Sequence, residues 1–361
     1  MAEFKNQHYV PRCYLENFAW DDRRKRVRLL NIDRGKFIRD ASIKTQCSRD
    51  YFYGDAAEER KFDYFEGAYA EAVRDVTSGT ISVATGEKLR ALSVLQYART
   101  EGAAQQAAAQ SARFRDAVDP EGREFSEDEV WDEKTALKES LATAGHMHKF
   151  FNDLDWAVIV NETRFTFVTS DDPAILTNRY ARQRLGLSKF GAISSGLTLS
   201  LPLTPRHWIV FYDSQVYRMS DRIGRIVKVR DAADVLHLNQ LACIKAARNV
   251  YYADVDAEAA LTTALESVSD QRTRDRFQLE FYREDEPGSE CYTKIAAPDV
   301  YDGASYLTSM APNHPVPPRW FSKLKIRLNP FFFSDGASTR HVRRPEWLHE
   351  ATRELWRTRR S

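Results

Sequence analysis

The apolar positions change period along the chain, and each change marks a new element. Phe62, Phe65, Tyr69, Ala72 and Val76 recur every three or four residues, which predicts one face of a helix. Gly79 suits its stop. Leu89, Leu92, Leu95, Gln96 and Arg99 carry the same spacing through a second helix. Alanine is dense from Ala103 to Ala112, and alanine is the best helix former, so a third long helix is expected. Asp119-Pro120-Glu121-Gly122 interrupts the pattern, and Ser126 with Glu129 restarts it as a capping box.

Elsewhere the period is two. Arg26–Ile32 and Phe37-Ile38 flank Asp33-Arg34-Gly35-Lys36, which predicts a hairpin. Tyr51-Phe52-Tyr53 is an aromatic cluster ending at Gly54. Trp156–Val160 and Phe165–Thr169 flank Asn161–Arg164 and predict a second hairpin, ending at Ser170-Asp171-Asp172-Pro173. Tyr180 to Gly196 reads as a mobile polar insertion. Strands resume at Leu197–Leu203 and Trp208–Tyr212, and helices at Ala232–Ala247 and Leu261–Val268. From Pro287 prolines accumulate, and an amphipathic helix is expected from Pro345 to Arg357. The expected fold is α+β. A mixed, mostly antiparallel sheet packs on several long helices in a core domain, 1–286. A Pro-rich, basic C-terminal extension, 287–361, follows.

Composition narrows the function classes. The chain has 361 residues, 43% hydrophobic and 29% charged, which suits a soluble globular protein with a sizeable core. Its net charge of +1 gives no global field toward nucleic acid or membrane. Cys13, Cys47, Cys243 and Cys291 form no CxxC pair, so reduced thiols in the cytoplasm are expected. No apolar run approaches the roughly 18–20 residues of a membrane span, and the first residues carry no signal-peptide apolar region. The absence of HExxH, GxSxG and a P-loop argues against zinc proteases, α/β-hydrolases and P-loop NTPases.

The candidate chemistry centres on the first twenty residues, where Gln7, His8, Tyr9 and Arg12 crowd together. His8 is either a general acid or base or a histidine that locks the segment into the core. Asp171 and Asp172 follow a strand and precede a proline. They could hold Mg²⁺ or Mn²⁺, or Asp171 could simply start an Asx-turn. Gln96 and Arg99 share a helix face with Thr100 nearby. Arg99 offers a fork for carboxylate or phosphate, or pairs with a buried acid, Asp171 or Glu66. His8 is expected within reach of Arg99 or the Asp171 region.

Four segments, in order, also resemble a known family. They are Gln7-His8-Tyr9-Val10-Pro11-Arg12 with Tyr14-Leu15 and Asn17-Phe18; Gln96–Thr100; Phe167–Pro173; and Leu201–Pro205. Together they resemble a widespread, mainly bacterial family catalogued as a domain of unknown function. Its members begin with an HYVP-type segment and carry a TSD(N/D)P-type segment mid-chain. The resemblance spans about residues 4–255. Asp172 stands where the family often shows Asn, which adds a charge. The resemblance implies a fold boundary and candidate positions but no activity; a role in bacterial conflict such as phage defence is what this kind of family suggests.

Two functional readings follow. In the first, a metal-assisted hydrolase cleaves a phosphodiester or nucleotide. Asp171 and Asp172 hold Mg²⁺ or Mn²⁺, His8 acts as acid or base, and Arg99 holds phosphate. Gln7, Tyr9, Arg12, Gln96 and Thr100 bind the substrate. In the second, the same pocket recognises a ligand without turning it over. From Arg319 onward 11 Lys/Arg meet 4 Asp/Glu, so this tail either touches nucleic-acid phosphates or packs as a solvated helix. From Asp119 to Glu139 nine acids meet three bases. This stretch either repels nucleic acid or pairs with the tail of another copy in a homo-oligomer.

Overall fold

The computed structural model describes residues 5–54, 60, 62–118, 132–187, 189–272, 277–289, 291–296, 305–334 and 341–348. The expected Ser126–Glu129 capping box, and the final helix beyond Leu348, lie outside these residues.

The chain opens with a short strand, β1 (Asn6–His8), and a one-turn helix, α1 (Arg12–Leu15). Pro11 is extended, and its carbonyl accepts from Tyr14 N and Leu15 N. The first hairpin forms as expected, β2 (Arg26–Asn31) against β3 (Lys36–Ser42), with Gly35 at φ +58° in its turn. β4 (Ser48–Asp50) returns to pair antiparallel with β1, His8 opposite Ser48. Three long helices follow: α2 (Asp63–Ser78), α3 (Val83–Ala98) and α4 (Glu101–Val118). α2 stops at Gly79, left-handed at φ +78°. Ser82 and Thr85 cap α3 reciprocally. α5 (Glu133–Met147) starts at Asp132, whose carboxylate accepts from Thr135 N at 2.7 Å.

The sheet region then begins with β5 (Asp155–Asn161), β6 (Thr169–Ser170) and β7 (Ile175–Thr177). After α6 (Arg179–Arg184) come β8 (Thr198–Thr204), β9 (His207–Tyr212), β10 (Tyr217–Met219), β11 (Arg222–Ile223) and β12 (Ile226–Val229). Next are α7 (Ala232–Lys245), β13 (Asn249–Tyr252) and α8 (Glu258–Glu266). One sheet runs β11-β12-β5-β9-β8-β7, and a second runs β3-β2-β13-β6. The β12–β5 pairing is parallel and the others in these sheets are antiparallel. The fold is α+β with mixed, mostly antiparallel sheets. Among the described residues no helix is long and apolar enough to cross a membrane.

The larger sheet is buried on both faces. Trp156, Val158, Ile209 and Phe211 face one apolar cluster with α2, α3 and the N-terminal segment. Ala157, Ile159, Trp208 and Val210 face another with α7 and α8. Trp156 can lie against α3 only because Gly86 has no side chain. A Cβ there would sit 2.2 Å from the indole.

Two expectations change. Phe165–Thr169 does not fold back on β5. Asn161 ties the turn instead, accepting from Thr163 N and donating to Phe165 O. Asn239 then holds the crossing segment by accepting from Val168 N and donating to Thr166 O. Thr169-Ser170 thereby joins the second sheet, beside β13. Tyr180–Gly196 begins with a short helix, α6, rather than as irregular chain. Asn178 caps α6 by accepting from Ala181 N at 2.8 Å, and Tyr180 is buried against Phe332 and His341.

The C-terminal extension builds a three-stranded sheet, β15-β14-β16, from β14 (Phe277–Glu284), β15 (Tyr292–Ile295) and β16 (Tyr306–Pro312). This sheet uses residues on both sides of position 287. Arg343 docks the extension: its guanidinium pairs with Asp153 at 2.9 Å and donates to the carbonyls of Phe150, Ala192 and Ser194.

Candidate functional site

The first residues are held from three sides. Tyr53 N donates to Gln7 Oε1 at 2.7 Å, and Gln7 Nε2 donates to Gly54 O at 3.4 Å. Tyr9 N donates to Cys47 O, and Gln96 Nε2 on α3 donates to Tyr9 O at 2.9 Å. The Tyr9 hydroxyl reaches Glu101 at 3.4 Å. Tyr14 is fully buried, and its hydroxyl lies 2.6 Å from both Thr169 Oγ1 and Pro202 O. One phenol therefore joins α1 to both sheets.

Arg99 closes the centre of this arrangement. It is 1% exposed, with its guanidinium carbon 4.4 Å from the Phe62 ring centroid. Nε donates to Tyr53 Oη at 2.9 Å, and Nη2 donates to His8 O at 2.8 Å and Glu66 Oε1 at 3.0 Å. Nη1 is buried without a partner. The structure thus brings Arg99 to His8, through the backbone carbonyl of His8. Its acidic partner is Glu66, with Asp171 elsewhere.

The His8 ring is mostly buried beside the backbone carbonyls of Ile43 and Lys44. Burial, then the charge of nearby Arg12, lowers its pKa from 6.5 to about 4, so the ring is neutral at physiological pH. Its Nε2 is buried without a partner. Arg12 itself is exposed. This cluster therefore carries a neutral imidazole, a buried guanidinium partly balanced by Glu66, and one surface arginine.

The two aspartates do other work. Asp171 is buried, and its carboxylate staples the link between α7 and β13. Oδ1 accepts from Ala247 N at 2.8 Å, and Oδ2 accepts from Arg248 N at 2.8 Å and Asn249 N at 2.9 Å. Burial lifts the Asp171 carboxyl to about 6, against these three N–H groups, which pull the other way. Asp172 sits at the start of α4. Thr100 Oγ1 donates to its Oδ1 at 3.1 Å while accepting from Ala103 N at 3.1 Å as the helix cap. Lys245 Nζ, at the end of α7, lies 2.7 Å from Oδ2 in an ion pair with both side chains largely buried.

These residues do not fit the expected Mg²⁺ or Mn²⁺. Such an ion needs oxygens with lone pairs turned toward it. The Asp171 oxygens are turned to backbone N–H groups, and an ammonium already stands at Asp172. Among the described residues, no group of three or more His, Cys, Asp or Glu could hold a metal.

Sequence reasoning missed Lys245, Tyr53 and Phe62 as members of the site. Lys245 carries no local signal beyond its place in the last turn of a helix. Tyr53 was visible only as part of an aromatic cluster. The four sequence segments singled out beforehand do converge. Gln96 binds Tyr9, Thr100 binds Asp172, and Tyr14 binds both Thr169 and Pro202.

No curated protein and no solved structure gives a significant match to the chain. The family model described as protein of unknown function, DUF4238, matches residues 6–256, and the chain belongs to that family.

Proposed function

We propose that the domain is a ligand-binding module that receives a small anionic molecule where the N-terminal segment meets α3. One observation carries this reading: Arg99 Nη1 is a buried donor without a partner, on a guanidinium otherwise fixed through Nε and Nη2. Leaving a buried donor unpaired costs about 1–3 kcal/mol. A carboxylate or phosphate oxygen relieves that cost, and the planar guanidinium suits either. His8 Nε2, a second buried atom without a partner, would accept from a hydroxyl of the same ligand. Arg12 lends positive charge at the surface. Gln7, Tyr9 and Gln96 would surround such a ligand, with Thr100 next along the chain from Arg99. The four free thiols suit the cytoplasm.

The test is calorimetric titration of the full chain with inorganic phosphate and with a nucleoside monophosphate. Saturable binding that weakens at least about tenfold in Arg99→Lys supports the module, because lysine cannot reproduce the fixed planar donors. His8→Gln, a milder change, should weaken the nucleotide. Absence of binding by wild type sinks the reading. Mn²⁺-dependent cleavage of a phosphodiester that disappears in Asp172→Asn would replace it with the hydrolase.

A further inference from the structure

A cavity of about 220 Å³ lies between α3, α4, α5 and the sheet strands β7 and β8. Arg99, His8, Gln7, Tyr9 and Gln96 do not line it. On α3, Val94 and Ala98 face the cavity, while Gln96 and Arg99 point to the N-terminal segment from roughly the opposite side of the helix. The space exists because Ala98, Ala107 and Ala144 stand where the three helices face one another. A larger side chain at any of them would close it. The walls are Val94, Met147, Phe151, Leu176 and Leu199. An apolar cavity of about 150 Å³ already takes up benzene, so this one accommodates a substituted ring. Met147 adds a side chain that reshapes easily around such a guest.

The polar groups are unevenly placed. Gln110, Glu139 and Thr143 come from α4 and α5, against the single Tyr97 from α3. Glu139 is exposed at the rim and has no ion pair among the described residues. Ser140 does not compete for a guest, since its hydroxyl already donates to Ala98 O at 3.0 Å. The cavity thus joins an apolar interior to a carboxylate at its mouth.

We infer that this cavity is a second ligand site, built for a small aromatic or aliphatic amine whose apolar body enters and whose ammonium meets Glu139. The inference stands independently of the anion pocket.

The full chain is titrated with benzylamine, toluene and phenylacetate, followed by methyl NMR and calorimetry. Benzylamine should bind saturably, toluene roughly tenfold more weakly for want of the charged hydrogen bond, and phenylacetate not at all. Glu139→Gln should bring benzylamine down to the level of toluene. Ala144→Leu should abolish binding of both; if that variant fails to fold, Ala107→Leu on the more open helix serves instead. The inference is overturned if wild type binds neither benzylamine nor toluene saturably. It is equally overturned if filling the cavity leaves binding unchanged, or if Glu139→Gln leaves the preference for the amine intact.

Discussion

At the scale of single residues, Asp171 shows how a side chain's chemistry can be set by distant backbone. Both its oxygens accept N–H bonds, so an asparagine would turn an NH₂ group toward at least one donor. Asp171→Asn is therefore expected to cost about 1–3 kcal/mol, checked by urea denaturation. This outcome is the reverse of an ordinary Asx-turn, which tolerates asparagine. The sequence marked the position but not the role, because the three donors lie 76 to 78 residues downstream. His8 makes a pH prediction. Its folded pKa near 4 lies below the usual 6.5, so between these values the unfolded chain takes up a proton that the folded one refuses. The stability it contributes is complete above about pH 6.5 and is lost as the pH falls through 4, by up to roughly 3 kcal/mol. Asp171, raised to about 6, acts in the opposite sense: its contribution is complete below 3.8 and lost as the pH rises through 6. Wild type therefore mixes the two. His8→Gln removes the first alone, so its melting temperature should fall less than that of wild type on acidification from about pH 6.5 to 4.5. An equal fall in both proteins would show that the ring is not held neutral.

At the scale of elements, what was legible was local. The three long helices and the first hairpin were readable because periods of 3.6 and two, with glycine stops, are written within a dozen residues. The second expected hairpin does not form, for a physical reason. A strand buried on both faces shows a continuous apolar run, and nothing in Trp156–Val160 says that its neighbours are β9 and β12 rather than the next segment. The same two-sided burial makes Gly86 a critical contact between α3 and β5. Gly86→Ala gives the helix roughly 1 kcal/mol in propensity. Overpacking costs about 1–3 kcal/mol, and a Cβ at 2.2 Å from a buried indole falls at the upper end. A net loss of about 2 kcal/mol is expected, read from the urea midpoint. A more stable variant would mean that Trp156 has room to move.

At the scale of the whole molecule, the extension beyond the family domain is fastened at several points, among them the buried Arg343 guanidinium and the antiparallel pairing of Leu324–Ile326 with β10. Arg343 is buried and meets Asp153 and three carbonyls, so Arg343→Ala leaves a carboxylate without its main partner, at about 3–5 kcal/mol. The melting temperature should drop. Amide exchange at Ser195, whose N–H donates to His341 O at 2.8 Å, should speed up. Unchanged exchange would show that the extension docks by other means. Basic residues of this region are partly used inside the fold: Lys323 pairs with Asp221, and Arg327 binds the carbonyls of Ser214 and Tyr217. A charge count along the chain could not reveal that. The threading of the N-terminal segment also bears on biosynthesis. Tyr14 waits for a carbonyl 188 residues later, and Cys47 for a hydroxyl 204 residues later. At roughly 5–20 residues per second, the ribosome leaves those early apolar groups uncovered for roughly 10–40 s. During that interval Tyr14, Leu15 and Phe18 have only one another and the apolar faces of α2 and α3 to pack against, so the yield of the chain depends on how well the cell shields the first fifty residues until the last strand of the second sheet emerges.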